Sequence, residues 1–219
     1  MIKYGKNAIF DPENLDPLNI DRQSVSLIPD NSRVLEIGCA TGFVGKYLIK
    51  NKNCTVYGVD LGVDEAKAAK KVLTDVILGD IENEKTLKKI QKHGKFDVVY
   101  AAALIEHLRD PWIALKTWKK FLRPGGALIL STSNIAHWST RINIFKGKFE
   151  YQQYGILDNT HLRFFTTHTF PKLVEDSGFT VEHFGIDAVG GGRPRISKPL
   201  SRFFPNLFAY QMVLKAKPA

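Results

Sequence analysis

A run of small residues, Glu36-Ile37-Gly38-Cys39-Ala40-Thr41-Gly42, lies where a short apolar segment passes into a helical pattern. Small residues at such a turn allow a bulky ligand to approach the main chain closely. Asp60 follows 18 residues after Gly42 and ends the next apolar segment. A carboxylate there either accepts hydrogen bonds from both hydroxyls of an adenosine ribose or serves as an ordinary turn residue. The two features together predict a site for an adenosine-containing ligand.

The glycine spacing separates two classes of adenosine-containing cofactor. Folds that bind NAD and folds that bind S-adenosylmethionine (SAM) both place a glycine-rich turn after the first strand. A dinucleotide fingerprint has its third glycine three residues after its second, and counted from Ala40 that position is Phe43. Because the third glycine allows close packing of helix on strand around a pyrophosphate, its absence disfavours a nicotinamide-dependent dehydrogenase.

The elements that position these residues alternate between short apolar runs and helical patterns. This alternation is typical of βα units that feed a mostly parallel sheet. A helix is predicted from about 112 to 122, and another carries Phe170, Leu173 and Val174 and ends at Gly178. The predicted strands are 34–38, 55–60, 75–78, 96–101, 127–132, 179–184 and 210–216.

Composition favours a single α/β domain spanning residues 1–219, with 44% hydrophobic and 24% charged residues. No stretch approaches the roughly 20 apolar residues of a membrane-spanning helix, and residues 1–10 lack the apolar run of a signal peptide. We therefore expect a soluble, cytoplasmic protein. Cys39 and Cys54 are expected to be reduced thiols, since a disulfide inside the glycine turn would be an unusual constraint.

The formal charge of +9 is unevenly distributed along the chain. The residues after Asp187 include six cations and no acid: Arg193, Arg195, Lys198, Arg202, Lys215 and Lys217. Such an end either attracts phosphate, anionic lipid or nucleic acid, or is a solvated surface without a specific partner.

Five features in order resemble the class I SAM-dependent methyltransferases, over about residues 32–217. They are the 36–42 turn, with Ala40 where a glycine is commonest, Asp60, and the segments 79–81, 96–108 and 122–130. Within this class, Asp158-Asn159-Thr160-His161-Leu162-Arg163-Phe164-Phe165-Thr166 and Ser177-Gly178-Phe179 are similar to small bacterial members of the ubiquinone-biosynthesis and cell-surface-sugar-cluster kinds.

The resemblance implies a Rossmann-like, doubly wound α/β fold with a seven-stranded sheet, mostly parallel with an antiparallel final strand. It implies SAM as cofactor, S-adenosylhomocysteine as product, and no metal. Glu36 is expected near the methionine end of the cofactor and Asp80 at the exocyclic amine of the adenine. The residues expected to bind the cofactor are Glu36, Gly38, Cys39, Ala40, Gly42, Asp60, Leu61, Asp80, Ile81, Ala101 and Leu104.

Methyl transfer from a sulfonium is an in-line displacement with a neutral leaving group. Positioning can supply about 7–11 kcal/mol, whereas a general base adds about 10²–10⁴-fold and is needed only for a poor nucleophile such as a hydroxyl. His107 and His161 are the candidate bases. His107 follows the fourth strand, where a helix-terminus or cofactor-contact role is the alternative. His161 lies near Asp158, which could orient an imidazole, although a loop-anchoring hydrogen bond is the alternative. His137 and Asp158 themselves are weaker candidates.

Two segments, 133–165 and 190–206, interrupt the alternating pattern and are predicted to lie on the acceptor side. Aromatic residues between 138 and 154 either cover a ring or sugar face or pack the loop onto the domain, and packing is favoured for most of them. The basic stretch 193–204 suggests contact with a phosphate-bearing or lipid-linked acceptor at a membrane surface.

The leading prediction is a methyltransferase that acts on a small-molecule or glycan acceptor, at oxygen. An RNA methyltransferase is the first alternative, favoured by charge but lacking an Asn-Pro-Pro-aromatic motif, so nucleic acid is not expected as the acceptor. A catalytically silent partner subunit is the second. The sequence indicates neither the oligomeric state nor the atom methylated.

Overall fold

The computed structural model describes residues 10–191 and 194–219. Within these ranges seven strands form one sheet: β1 (Arg33–Ile37), β2 (Thr55–Asp60), β3 (Asp75–Leu78), β4 (Phe96–Ala102), β5 (Leu122–Ser133), β6 (Phe179–Asp187) and β7 (Gln211–Pro218). Their spatial order is β3-β2-β1-β4-β5-β7-β6. Only β7 runs antiparallel to its neighbours. The predicted fold class, including the antiparallel final strand, is confirmed.

Helices cover both faces of the sheet. They are α1 (Ile20–Ser26), α2 (Phe43–Lys52), α3 (Val63–Ala69), α4 (Glu84–Gln91), α5 (Pro111–Lys119), α6 (Trp138–Phe145), α7 (Thr169–Asp176), α8 (Pro194–Ser201) and α9 (Pro205–Phe208), with 3-10 turns at Pro12–Asn14 and Ile105–His107. Pro171 lies in the first turn of α7, where its missing N–H breaks no intrahelical hydrogen bond. No helix in the described part of the chain is long and apolar enough to cross a membrane.

Alternate residues of each strand supply two separate cores. On β1, Leu35 and Ile37 pack into the core that contains Trp118 of α5, whereas Val34 faces the core that contains Leu48 of α2. All five side chains are fully or almost fully buried. The period of two along a buried strand thus produces the double-sided packing of a doubly wound sheet.

Several predicted boundaries were wrong. The helix predicted to reach residue 122 ends at Lys119, and the strand predicted at 127–132 begins at Leu122, which pairs with Phe96. The register shifts between Phe96 and Val98, and a Cβ atom at Gly126 would lie 3.0–3.1 Å from three main-chain oxygens. Gly126 therefore permits an irregular strand where the main chains approach closely.

The two segments predicted to interrupt the pattern contain helices that the sequence did not indicate. α6 lies within 133–165, α8 lies within 190–206, and α9 begins at Pro205 and extends beyond that segment to Phe208. Gly192 and Arg193, part of the second segment, lie outside the described residues. Short helices of 4–8 residues carry too few apolar repeats to produce a clear 3.6-residue period.

Candidate cofactor and active site

A cavity of about 320 Å³ opens at the carboxyl ends of the central strands. The chain proceeds outward from β1 to β3 on one side and from β4 onward on the other, so the switch point lies between β1 and β4. Ligands of open α/β sheets bind in the crevice at such a point. Seven predicted site residues line this cavity: Gly38, Asp60, Leu61, Asp80, Ile81, Leu104 and His107.

The turn after β1 has a left-handed backbone at alternate positions. Gly38 has φ +76°, Ala40 +46° and Gly42 +79°. A Cβ atom at Gly38 would approach Leu104 Cδ1 to 3.3 Å, on the cavity wall, so glycine keeps this space open. A Cβ atom at Gly42 would instead meet Val72 at 2.9 Å. Gly42 is therefore required for packing against the segment after α3, and it does not line the cavity.

Asp60 holds the turn in place. Its Oδ2 accepts a hydrogen bond from the Ala40 N–H at 2.7 Å, and its Oδ1 accepts one from the Gly62 N–H at 2.8 Å. The first bond helps to stabilise the left-handed conformation of Ala40, which costs a non-glycine residue about 1–2 kcal/mol. Because each carboxylate oxygen has two lone pairs, both retain capacity for a ligand hydroxyl.

Asp80 is arranged in a similar way at the end of β3, since its Oδ1 accepts a hydrogen bond from the Glu82 N–H at 2.8 Å. The apolar side chains of Leu61, Ile81 and Leu104 line the same cavity. Two strand-end carboxylates with apolar surfaces between them suit an adenosine, whose ribose and amine are polar and whose ring faces are not.

Glu36 does not line the cavity. Its side chain is buried on the α2 side of β1, and burial raises its pKa to about 8, against a hydrogen bond from the Gly45 N–H that lowers it. Its Oε2 has no hydrogen-bond partner among the described residues. The side chains of Cys39 and Ala101 are buried too, and burial raises the pKa of the Cys39 thiol. Both cysteines are free, as predicted.

His107 lies in the 3-10 turn after β4 and lines the cavity. Its Nδ1 is 3.0 Å from Thr160 Oγ1 and 3.3 Å from the Thr160 carbonyl oxygen. Asp158 Oδ1 accepts hydrogen bonds from the Thr160 hydroxyl at 2.5 Å and from the Thr160 N–H at 2.8 Å. Asp158 is therefore linked to His107 through Thr160, whereas the sequence suggested that it orients His161.

His161 lies behind His107, with ring centroids 4.7 Å apart. Its Nδ1 is 3.1 Å from the Ile156 carbonyl oxygen, and its Nε2 is 3.9 Å from Oε1 of Glu106. The Glu106 and His161 side chains are both nearly buried. His161 is not on the cavity wall, and its contacts agree with the loop-anchoring alternative.

Sequence reasoning gave no role to Glu106 or Thr160. Glu106 is next to His107, and its main-chain oxygen accepts hydrogen bonds from the N–H groups of Leu162 and Arg163. Thr160 lies between two residues that had been singled out, Asp158 and His161. The available signal in the sequence was that both residues are adjacent to candidate residues. The contact between His107 and Thr160, however, joins residues that are 53 positions apart in the sequence.

The two segments predicted to lie on the acceptor side contact each other. Asn134 donates hydrogen bonds to the carbonyls of Asn206 and Ala209, and the rings of His137 and Tyr210 lie 5.5 Å apart. His137 accepts a hydrogen bond from the Ser139 N–H as the N-cap of α6, and burial lowers its pKa to about 4. It does not line the cavity.

The packing role favoured for most aromatic residues between 138 and 154 was wrong. Phe145 is 93% exposed, and Phe149, Tyr151 and Tyr154 are also exposed. Every residue from 141 to 154 is exposed, so α6 and the loop after it project from the domain. Among the residues that the structure describes, no three His, Cys, Asp or Glu side chains are grouped so that they could hold a metal ion.

Comparison with known proteins gives consistent matches. A family model described as a methyltransferase domain matches residues 15–184. A ubiquinone biosynthesis O-methyltransferase of Psychrobacter arcticus is 28% identical over 152 residues, which are 68% of this chain and 59% of that protein. The chain spans about half the length of the curated relatives it matches.

Solved structures share the fold. A possible histamine N-methyltransferase from Thermotoga maritima has a TM-score of 0.61 at 21% identity, covering 90% of this chain and 86% of that one. Magnesium protoporphyrin IX methyltransferase from Synechocystis, solved with bound S-adenosylhomocysteine, has a TM-score of 0.60 at 17% identity, covering 91% and 82%.

The sheet order and the cavity at its switch point define a class I SAM-dependent methyltransferase fold. The chain belongs to the methyltransferase domain family, whose model covers most of it. SAM is the cofactor of this class, and the two carboxylates and the space beside Gly38 fit its adenosine.

Proposed function

We propose that this protein transfers the SAM methyl group to an oxygen atom of a small-molecule acceptor. The observation that carries the proposal is the cavity at the switch point, which Asp60, Asp80 and His107 all line. SAM supplies a methyl group on a sulfonium sulfur, which leaves as a neutral thioether. The chain would hold the adenosine with the two carboxylates and present His107 where an acceptor hydroxyl could lose its proton.

Oxygen is favoured over other acceptor atoms for two reasons. A hydroxyl is a poor nucleophile and benefits from a neighbouring base, and an imidazole lies on the cavity wall. The curated relatives that match are named O-methyltransferases, although they are longer proteins.

The proposal is tested by incubating the protein with methyl-labelled SAM and separate pools of quinone precursors, sugar nucleotides, cell extract and RNA. We expect label in a hydroxyl-bearing small molecule, and the Asp60→Ala variant should lose that activity at low SAM concentration. SAM binding in calorimetry without transfer to any pool would favour a catalytically silent subunit. Absence of SAM binding would contradict the proposal itself.

A finer version of the proposal concerns a glycan or lipid-linked acceptor. The side chains of Ile196, Phe203 and Phe204 are exposed, and Arg195 and Arg202 are exposed beside them. Apolar and cationic side chains together favour contact with an anionic lipid surface. Co-sedimentation with phosphatidylglycerol vesicles should exceed that with phosphatidylcholine vesicles and should fall in an Arg195→Glu/Arg202→Glu variant. Equal sedimentation with both vesicle types would remove the membrane part of the proposal.

A further inference from the structure

We propose that Asp158 and Thr160 are positioning residues that hold His107 in the Nδ1–H tautomer and so leave Nε2 as the proton acceptor. The tautomer follows from hydrogen bonds within the protein itself, and only the use of that tautomer in catalysis rests on the proposed function.

Asp158, Thr160 and His107 form a series of hydrogen bonds. The ionisation of Asp158 fixes the direction of each of them. Partial burial raises the pKa of Asp158, but the hydrogen bonds from Thr160 and the nearby His161 and His107 outweigh it and lower the pKa overall. An ionised carboxylate can only accept, so the Thr160 hydroxyl hydrogen points at Asp158 Oδ1. The hydroxyl has one hydrogen, and its oxygen can therefore only accept from His107 Nδ1. The Thr160 carbonyl, 3.3 Å from the same nitrogen, can also only accept.

Both neighbours of Nδ1 thus require a hydrogen on it, and the neutral imidazole then has its lone pair on Nε2. Nε2 makes no hydrogen bond to any described residue. A histidine whose second ring nitrogen is fixed by an acceptor has its orientation and tautomer set by that partner, as in catalytic sites on other folds.

His161 does not offer the same arrangement. Its Nδ1 faces the Ile156 carbonyl, its Nε2 faces Glu106, and it does not line the cavity. The charged or titratable groups around His107 are Asp158 and His161 on the loop, Glu106 beside it in the chain, and Arg109, Glu82, Asp80 and Asp60 on the cavity wall. Of the acids, only Asp158 is linked by hydrogen bonds to the His107 ring.

In the catalytic step the acceptor oxygen forms a bond to the methyl carbon while the carbon–sulfur bond breaks and its electron pair stays on sulfur. The acceptor's proton moves to Nε2 of His107, which becomes an imidazolium. The Asp158 carboxylate, one hydroxyl away, stabilises that positive charge. The proton then leaves to solvent, and the ring returns to the Nδ1–H form.

The tautomer can be measured without cofactor or acceptor. Long-range ¹H–¹⁵N correlation spectra of ¹⁵N-labelled protein, assigned with His107→Gln, distinguish a protonated from an unprotonated ring nitrogen. We expect Nδ1 protonated and Nε2 unprotonated in the wild type above the pH at which the ring titrates. Thr160→Val should raise the Nε2–H fraction, Thr160→Ser should restore the wild-type spectrum, and Thr180→Val on the exposed side of β6 is the matched control. A wild-type Nε2–H ring would overturn the proposal. A Thr160→Val spectrum identical to wild type would assign the tautomer to the Thr160 carbonyl alone and overturn the role of the Asp158 and Thr160 side chains.

Asp158→Asn tests the charge separately from the geometry. The asparagine side-chain oxygen can still accept from Thr160, but the imidazolium loses its carboxylate. We expect the Nδ1–H tautomer to persist and, with any acceptor found in the labelled-SAM screen, kcat to fall with SAM affinity unchanged. Wild-type kcat in a folded Asp158→Asn variant would contradict the role of Asp158.

Measurements of turnover distinguish a failure of this positioning role from a failure of the proposed function. With any acceptor found in the labelled-SAM screen, Thr160→Val should lower kcat about tenfold to a hundredfold with SAM affinity unchanged, and Thr160→Ser should recover most of it. A wild type that neither binds SAM nor transfers label defeats the proposed function and leaves the tautomer result standing. A wild type that turns over, with Thr160→Val equally fast, defeats only the positioning role.

Discussion

Asp60 has two structural partners before any ligand binds. Its carboxylate joins the turn after β1 to the loop after β2 through the N–H groups of Ala40 and Gly62. The same group lines the cavity, where we propose that it binds the ribose. Because one side chain shapes the turn and faces the cavity, a substitution there affects both the geometry and the affinity of the site.

The first prediction concerns this carboxylate. Asp60→Ala should weaken SAM binding by more than tenfold, because two hydrogen bonds to a charged group, of about 1.5–3 kcal/mol each, are lost and tenfold corresponds to about 1.4 kcal/mol. Calorimetric titration with SAM measures the change, and Asp64→Ala, an exposed acid in the first turn of α3, is the control. Unchanged affinity in a folded Asp60→Ala variant would contradict the assignment.

The second prediction uses the buried acid on β1. The pKa of Glu36 is raised from 4.5 to about 8 by burial, so the folded state binds a proton that the unfolded state has released between those pH values. Stability should therefore fall as pH rises through this interval. His137, with its pKa lowered from 6.5 to about 4, has the opposite effect between pH 4 and 6.5. The effect of Glu36 is therefore cleanest between pH 6.5 and 8.

Glu36→Gln should flatten the fall in stability over that window, because glutamine has the same shape and does not ionise. Urea unfolding of the ligand-free protein at several pH values measures it. A variant with the same slope as the wild type between pH 6.5 and 8 would show that Glu36 does not titrate there.

At the scale of elements, α2 lies closer to the sheet than a side chain at position 45 would permit. A Cβ atom at Gly45 would lie 2.7 Å from Oε2 of Glu36 and 2.9 Å from Cγ1 of Val56, and closer still to Leu73. Glycine in a helix interior normally costs about 1 kcal/mol of helix stability. Here it allows the helix to lie directly over β1 and β2, next to the turn after β1.

The third prediction follows from this close approach. Gly45→Ala should destabilise the protein by about 1–3 kcal/mol, because overpacking outweighs the gain in helix propensity. Lys46→Ala, one residue further on the exposed side of α2, is the control. Thermal or urea unfolding measures both variants. A more stable Gly45→Ala protein would mean that α2 can shift outward at little cost.

At the scale of the whole molecule, the net charge of +9 favours attraction to RNA, so RNA has to be considered as a methyl acceptor. Among the described cations after Asp187, Lys198 is paired with Asp16 and Lys217 with Glu182. These ion pairs reduce the positive charge that the C-terminal end presents at the surface. Non-specific binding to phosphates weakens steeply as the salt concentration rises. Recognition of an acceptor base through contacts to the base itself does not weaken as steeply.

The fourth prediction is that RNA is not methylated. Labelled SAM should transfer no methyl group to total RNA, and any RNA retention at 50 mM salt should be lost by about 200 mM, as expected for counterion release alone. Filter binding and label incorporation measure the two effects. RNA methylation that persists at the higher salt would replace the small-molecule proposal.

The amino-acid sequence by itself determined the strand pattern, the fold class and the cofactor class. The strand pattern and the α/β class follow from the alternation of apolar runs, and SAM as cofactor follows from the resemblance of the 36–42 turn, Asp60 and three later segments to class I SAM-dependent methyltransferases. Residues at the ends of adjacent parallel strands are brought together whenever the sheet forms, because the βα connection fixes their positions. The predicted Gly38, Asp60 and Asp80 therefore line one cavity.

Only the tertiary structure decided how the segments predicted to lie on the acceptor side are arranged. Whether Asp158 orients His161 or is linked through Thr160 to His107 depends on how a loop folds back onto the turn after β4, and a loop has no period from which its path can be read. The direction of the Glu36 side chain, away from the cavity, depends on the pleat of β1 in the assembled sheet. The sequence thus determined which residues end the strands, and long-range packing decided which of the remaining polar side chains meet.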